Sequence, residues 1–549
     1  MPIHTKKINQ RSLRKKSINE DVTDLLSNNL HTFVEEFFIN DQEKIKEVLS
    51  PERRADGRYV TSEANLNKFI DLRIFRETQI KGFLRWLTST PPLLRVFFTW
   101  VFITKMRMKL AYFDQQENND PAKIYKQGPE HAINNDNSET FTIHNLGHAT
   151  QLIQTSGMNI LTDPVFGDLA PFVYPAMTRS LGQDVKAEEL PSIDVILISH
   201  NHRDHVDTTS LKKLLVHQPQ LLVPAGDEEF FRSLGFTKVQ AFEWHEQITI
   251  TSKTDKKVTF CSVPADHRSG RNGHDSHHSL VTGWTISPKE RREILYFAGD
   301  TARINNARMT GLALDIYHLY QHKKGLEPSE LPRLINMEPG GPNYTRKDMS
   351  PTHQSAVDSV VSSFRLALAL EEISCKDKGI ENQISASAWL ESTATIFMHQ
   401  NKYELGPDRF NENYFIFTRL CSYLQMSDET LEVHKQKQES KSTSWSLFHR
   451  RKDFIISGVE ELKEMAKTLW PNETPATQRL KIIEFITSRT HFPLIREKLT
   501  SEDPYKFAPG EISTIAPDTW DSGKQKLKGA KDLSLDESPT LISALSMKK

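Results

Sequence analysis

His200, His202, Asp204 and His205 stand within six residues, as H-x-H-x-D-H in the run Ser199-His-Asn-His-Arg-Asp-His-Val-Asp207. Imidazole nitrogens and a carboxylate are ligands for zinc and similar divalent ions. Residues 195–198 are apolar, rich in β-branching, and lead straight into the motif, so they read as a buried strand. Alternate residues of an extended segment point the same way. His200 and His202 can therefore grip one ion, and a turn would let Asp204 and His205 face another. Strand-end loops are where sites are built. A polar, His-rich loop that binds nothing is the plain alternative.

This spacing resembles the signature of the metallo-β-lactamase superfamily, and the resemblance implies further ligands after further strands. His267 follows the apolar run 258–265, Asp300 follows 294–299, and His399 follows 395–398. By that resemblance His200, His202 and His267 hold a first ion. Asp204, His205 and His399 hold a second, and Asp300 bridges, which makes Asp204 and Asp300 the carboxylates at the reacting centre. The implied cofactors are two divalent metal ions, with zinc the expected element. The implied fold is α/β (α+β), a four-layer αββα sandwich with two β-sheets face to face, helices outside and the metals at one edge. A water shared by two cations loses a proton near neutral pH and serves as the nucleophile. No protein nucleophile is then needed, and the ions take up charge developing on a phosphoryl or carbonyl oxygen.

Two segments narrow the resemblance. Gly147-His-Ala-Thr150 and Ile160-Leu-Thr-Asp-Pro-Val-Phe166 are similar to the N-acylphosphatidylethanolamine phospholipase D branch, with its ascorbate-phosphate lactonase-like bacterial relatives. His267-Arg-Ser-Gly-Arg271, Thr282-Gly-Trp284 and Tyr296-Phe-Ala-Gly-Asp-Thr301 agree with that branch. The similarity spans about residues 140–420. It implies a phospholipid substrate, and phosphodiester cleavage that releases phosphatidic acid and an N-acylethanolamine. Asp163, at a strand end, would hold the ligand loop or a ligand imidazole from behind, with His148 beside it; a turn-forming Asp-Pro is its bland reading. Arg271 has planar donors suited to a phosphate, or is a structural arginine. Asp348 and His353 are candidates for handling the leaving group. The chain departs from the branch at Gln400-Asn-Lys402, where Trp-Gly-Thr is usual, and at Asp348-Met-Ser-Pro351, where a His usually opens His-x-x-Pro. These positions face the substrate, so the resemblance speaks more for the metals than for what is cleaved. His274, His277 and His278 read as solvated loop residues.

The rest of the 549-residue chain must position this motif. Residues 1–20 read as a basic flexible tail. Residues 21–135 read as a helical N-terminal extension. Within it, 92–113 mixes aromatic and aliphatic groups with Arg95, Lys105, Arg107 and Lys109. That suits a helix lying at a membrane interface, and also a buried helix whose cations mark its exit from the core; composition leans to burial, and a lipid substrate would favour the interface. The catalytic domain is placed at 136–425, a polar linker at 426–449, a helical C-terminal addition at 450–505 that is either a small separate unit or part of the outer layer, and a flexible tail at 506–549. A net charge of −1 gives no field favouring nucleic acid. Three cysteines cannot make a disulfide framework and suggest a reducing compartment. No signal-peptide core and no apolar run long enough to span a bilayer are seen. The expected setting is cytoplasmic, with peripheral membrane contact if the substrate is lipid. Two other functions stay open. One is a hydrolase of a soluble ester, lactone or cyclic phosphodiester on the same fold. The other is a binding protein that kept the fold without the chemistry.

Overall fold

The computed structural model describes residues 5–7, 51–53, 56–60, 141–146, 148–166, 190–271, 275–323, 331–339, 355–376, 384–398, 412–442 and 454–491. In chain order the strands are β1 (Thr5–Lys7), β2 (Glu52–Arg53), β3 (Tyr59–Val60), β4 (Phe141–Asn145), β5 (Gln151–Thr155), β6 (Met158–Thr162), β7 (Val195–Leu197), β8 (Gln220–Pro224), β9 (Val239–Phe242), β10 (Gln247–Thr251), β11 (Lys257–Pro264), β12 (Thr282–Pro288), β13 (Glu293–Phe297), β14 (Arg333–Pro339), β15 (Thr393–Met398) and β16 (Thr490–His491). The helices that cover them are α1 (Thr208–Leu214), α2 (Glu228–Ser233), α3 (Asn306–Gln321), α4 (Ser355–Lys376), α5 (Ala386–Glu391), α6 (Glu412–Gln425), α7 (Asp428–Ser442), α8 (Phe454–Leu469) and α9 (Pro475–Arg489).

Strands β4 to β9 form one sheet in sequence order. A second sheet runs β1-β10-β11-β12-β13-β14-β15-β16. Side chains alternate across each strand, and the sequence uses both faces. Val195, Leu197, Leu222, Ile160 and Phe242 of the first sheet meet Phe260, Trp284, Leu295, Phe297 and Met337 of the second in one buried core. The intervening Ile196, Ile198, Leu221 and Val223 point outward to Leu211 and Leu214 of α1 and Phe231 of α2. On the far side, Val263, Ile294, Tyr296 and Leu334 pack under α3, α4, α8 and α9 through Leu312, Phe364, Val459 and Ile482. This is the four-layer αββα arrangement. Strands buried on both faces carry near-continuous apolar runs, which is why 195–198 and 294–298 read as strands at all.

Three expectations about the ends need correction, and the choice left open for the C-terminal helices falls to the outer layer: α8 and α9 complete the buried cluster over the second sheet. After α9, Thr490 and His491 pair in parallel with Thr395 and Ile396, so β16 extends that sheet. The stretch 426–449, expected as linker, contains helix α7. Its residues are polar all round, with Leu431 its buried apolar anchor, so no apolar stripe announced it. The Ser427 hydroxyl accepts from Thr430 N at 3.2 Å to cap it, and Asp428 pairs with Lys463 of α8 at 2.8 Å. At the other end, β1 of the expected flexible tail pairs antiparallel with Ile248–Ile250 of β10. Within the expected helical extension, the described residues form the antiparallel pair β2–β3. Tyr59 of that pair is buried against Ala225, Trp244 and Leu280. The segment 92–113 lies outside the described residues. Among the described residues, no helix is long and apolar enough to cross a membrane.

Candidate metal centre

The candidate ligands collect at one edge because of strand direction. β6 and β7 run parallel, with Thr162 level with Leu197. Their ends release Asp163 and the His200–His205 loop side by side. β5 runs antiparallel to β6, with Gln151 opposite Thr162, so His148, just before β5, arrives at the same edge. In the second sheet β11 ends at Pro264 and β13 at Phe297, delivering His267 and Asp300. Gly299 makes the approach possible. Its φ is +61°, and a Cβ there would stand 2.4 Å from Ser199 Cβ. Only glycine lets the Asp300 turn close on the ligand loop.

Three imidazoles form one donor group. His200 Nε2 lies 2.9 Å from His202 Nδ1, and His267 Nε2 lies 3.2 Å from that same atom. Bonds of about 2.0–2.1 Å to a tetrahedral zinc would put such nitrogens roughly 3.3 Å apart, so the three atoms already trace the edges of a coordination shell. Tautomers agree with this. The Ser199 hydroxyl donates to Asp163 Oδ2 at 2.5 Å and lies 3.0 Å from His200 Nδ1. A hydroxyl that donates there accepts from Nδ1–H, which leaves the Nε2 lone pair facing the centre. Burial first, then His205, His202 and His267, keep the His200 ring well below its ordinary pKa. Burial and then His267 do the same to His202. Both rings are neutral, as ligands must be.

The second group is built of His148, Asp204 and His205, with Asp300 between the groups. His148 Nε2 is 3.5 Å from Asp204 Oδ2, and His205 Nε2 is 3.3 Å from Asp300 Oδ1. Asp300 Oδ2 lies 3.8 Å from His267 Nε2, so this carboxylate reaches both groups. Asp163 is fully buried behind them. Its Oδ1 accepts from Ser199 N at 2.8 Å and its Oδ2 sits 2.7 Å from His205 Nδ1, which turns His205 Nε2 toward the centre. Burial disfavours charge on His205, but Asp300 and Asp163 outweigh it and take the ring up to about 10. Asp163, Asp204 and Asp300 thus call for more positive charge than the imidazoles supply, and divalent cations fit that demand.

A bracing network went unseen in the sequence reading. Asn201, the middle residue of H-x-H, is buried. Its Nδ2 donates to Asp227 Oδ1 at 2.9 Å and to Ser279 Oγ at 3.0 Å, and its Oδ1 accepts from Gly270 N at 2.6 Å. One side chain therefore ties the His200–His205 loop to the loop that carries His267. Burial pushes the Asp227 carboxyl up to about 7, against the pull of Asn201 and Ser279. Arg271 joins the same brace. Its Nη1 donates to the carbonyls of Val206 at 2.7 Å and Asn201 at 3.2 Å, and its guanidinium lies over the Phe230 ring. The signal for Asn201 was its place between two ligands; nothing in the sequence pointed to Asp227 or Ser279, which come from distant segments.

Of the residues expected at the site, the structure brings His200, His202, Asp204, His205, His267, Asp300, Asp163 and His148 together. His399, Asp348, His353 and His274 lie outside the described residues. His277 is buried, not solvated; its backbone N–H donates to Ser269 O, and its carbonyl accepts from Tyr59 N at 2.9 Å.

Residues 158–322 match a family model described as a beta-lactamase superfamily domain. The chain is 34% identical over 164 residues to N-acyl-phosphatidylethanolamine-hydrolyzing phospholipase D 1 of Caenorhabditis elegans, covering 28% of this chain and 45% of the worm protein. It is 31% identical over 162 residues to the mitochondrial N-acyl-phosphatidylethanolamine-hydrolyzing phospholipase D of Saccharomyces cerevisiae, covering 29% and 34%. A metal-dependent hydrolase of Bacillus thuringiensis is 30% identical over 184 residues, covering 30% and 65%. The matched stretch spans less than half the length of either phospholipase D relative.

Proposed function

From the premise that this chain carries a beta-lactamase superfamily domain, we propose that it is a two-metal phosphodiesterase of phospholipase D type. Its substrate is N-acylphosphatidylethanolamine or a related phospholipid, cleaved to phosphatidic acid and an N-acylethanolamine. The observation that carries the chemistry is the convergence of two donor groups on Asp300 at one sheet edge. The similarity to the two phospholipase D proteins supports the substrate.

In this reading His200, His202 and His267 hold one divalent ion, Asp204, His205 and His399 the other, and Asp300 both. Zinc suits the nitrogen-rich set. Such ions, when bound, provide hydroxide at neutral pH and neutralise charge on a phosphoryl oxygen. The chain's own residues supply position. Asp163 holds His205 by its Nδ1 and the Ser199 backbone by its N–H. Asn201 and Arg271 keep the ligand loop in place. Asp348 and His353 are the proposed partners of the leaving group, and any Arg271 contact with phosphate would have to use donors left over from its brace.

The test is phosphatidic acid release from N-acylphosphatidylethanolamine in mixed micelles with zinc, beside an Asp300→Asn variant. Release by the parent alone is the expected result. A parent that holds two metals yet releases none would sink the lipid reading and send the search to soluble esters, lactones and cyclic phosphodiesters.

A further inference from the structure

His148 entered as a residue standing behind the ligands, yet its position is that of a ligand. The turn that carries it is anchored on both sides. Leu146 N donates to Thr150 O at 3.0 Å, Thr162 Oγ1 donates to Ala149 O at 2.7 Å, and Thr150 Oγ1 donates to Asp163 O at 2.8 Å. These bonds tie the turn to β6 and to the backbone of Asp163, whose carboxylate orients His205. Within it His148 has φ +52°, in the left-handed region that few non-glycine residues occupy. The ring is buried, with its centroid 4.9 Å from that of His205 in an edge-on arrangement. Its Nε2 faces Asp204 Oδ2 at 3.5 Å. Ligand atoms of His148, Asp204 and His205 lie within 4.8 Å of one another, as do those of His200, His202 and His267. A residue serving from behind would touch the far nitrogen of a ligand imidazole, as Asp163 does for His205. His148 instead has its Nε2 beside Asp204 Oδ2, the same oxygen that lies 3.8 Å from His205 Nε2.

We infer that His148 is a direct ligand of the second metal ion, sharing it with Asp204 and His205. This rests on the two-metal reading above and changes the make-up of its second site. That site then has two imidazoles from described residues and matches the first in nitrogen content more closely than Asp204 and His205 alone would allow. Imidazole favours zinc, copper, iron or nickel over magnesium or calcium.

The experiment uses the full chain, stripped of metal and titrated with cobalt(II). Two readouts are taken, the affinity for each equivalent and the hyperfine-shifted imidazole N–H signals of bound histidines. In His148→Gln one shifted signal disappears, and affinity for the second equivalent falls by more than about 100-fold, beyond what loss of an outer hydrogen-bond partner costs. The first equivalent binds as in the parent, which shows that the variant is folded. If every shifted signal persists in His148→Gln, with or without weaker binding, His148 is not a ligand and the inference fails. A parent that binds no cobalt overturns the two-metal reading itself.

Discussion

The two donor groups face each other across Asp300 and are made differently. The first is all imidazole: His200 Nε2 and His267 Nε2 lie 2.9 and 3.2 Å from His202 Nδ1. The second mixes imidazole with carboxylate and has the buried Asp163 at its back. Their supports differ as well. The first depends on side chains that link separate loops, Asn201 with Asp227, Ser279 and Gly270. The second draws on one sheet, since β5 and β6 bring His148 and Asp163 to the same edge. A site braced between loops responds to loop movement, whereas a site rooted in neighbouring strands responds mainly to changes in charge.

The largest expected effect comes from removing what the groups share. Asp300→Asn keeps the shape and takes away the charge that both groups face. Phosphodiesterase activity should fall by at least about 1,000-fold, the scale seen when a main electrostatic contributor is lost, with metal content dropping below that of the parent. An Asp300→Asn enzyme with near-normal turnover would break the picture of two groups acting together.

Asp163→Ala should come next. It frees His205 Nδ1 and the Ser199 N–H, and should weaken metal binding at the second group by about 10–100-fold while sparing the first. Competition with a zinc indicator reads the two equivalents separately. Equal loss at both groups would mean that Asp163 serves the whole loop, as its contact with Ser199 allows.

Asn201→Ala is the matching change on the first side. Three hydrogen bonds go, and the acceptor on Asp227 is left without its donor from Asn201. Stability should fall by roughly 1–3 kcal/mol, read by denaturant titration, and binding at the first group should weaken more than at the second. The reverse order would contradict the division between loop-braced and strand-rooted sites.

The smallest effect is a pH dependence. Burial raises the Asp227 carboxyl from 3.8 to about 7 in the folded protein. The folded state therefore holds this proton more tightly than the unfolded chain does. The stability that this supplies is fully present below about pH 4 and is lost as pH rises through about 7. Asp227→Asn retains an acceptor for Asn201 and has no carboxyl to ionise. Its stability relative to the parent should rise between pH 4 and pH 7 and level off above. A difference that is flat across this range would show that Asp227 does not titrate there.

Two candidate ligands of each group were legible in the chain because they are dense: His200, His202, Asp204 and His205 follow one apolar strand. The double-sided burial of β7 and β13 was legible for the same reason, as unbroken apolar runs. Helix α7 was not, because its polar surface resembles a linker and its stability comes from Leu431 and the ion pair with Lys463. Strands β1 and β16 were not, because two- and three-residue edge pieces have no period to detect.

By itself the sequence determined the kind of chemistry, since residue type and spacing decide which atoms can bind a cation. Its apolar runs marked individual strands as buried, while the layered fold was implied only by the resemblance of its motifs. Tertiary structure alone decided which donors lie together and what holds them in place. His148 reaches Asp204 through the antiparallel register of β5 and β6, His267 reaches His202 across two sheets, and Asp227 reaches Asn201 from the next strand end. These are distances between segments far apart in the chain. They are set by how the sheets pack and where their strands end, and no local pattern carries them.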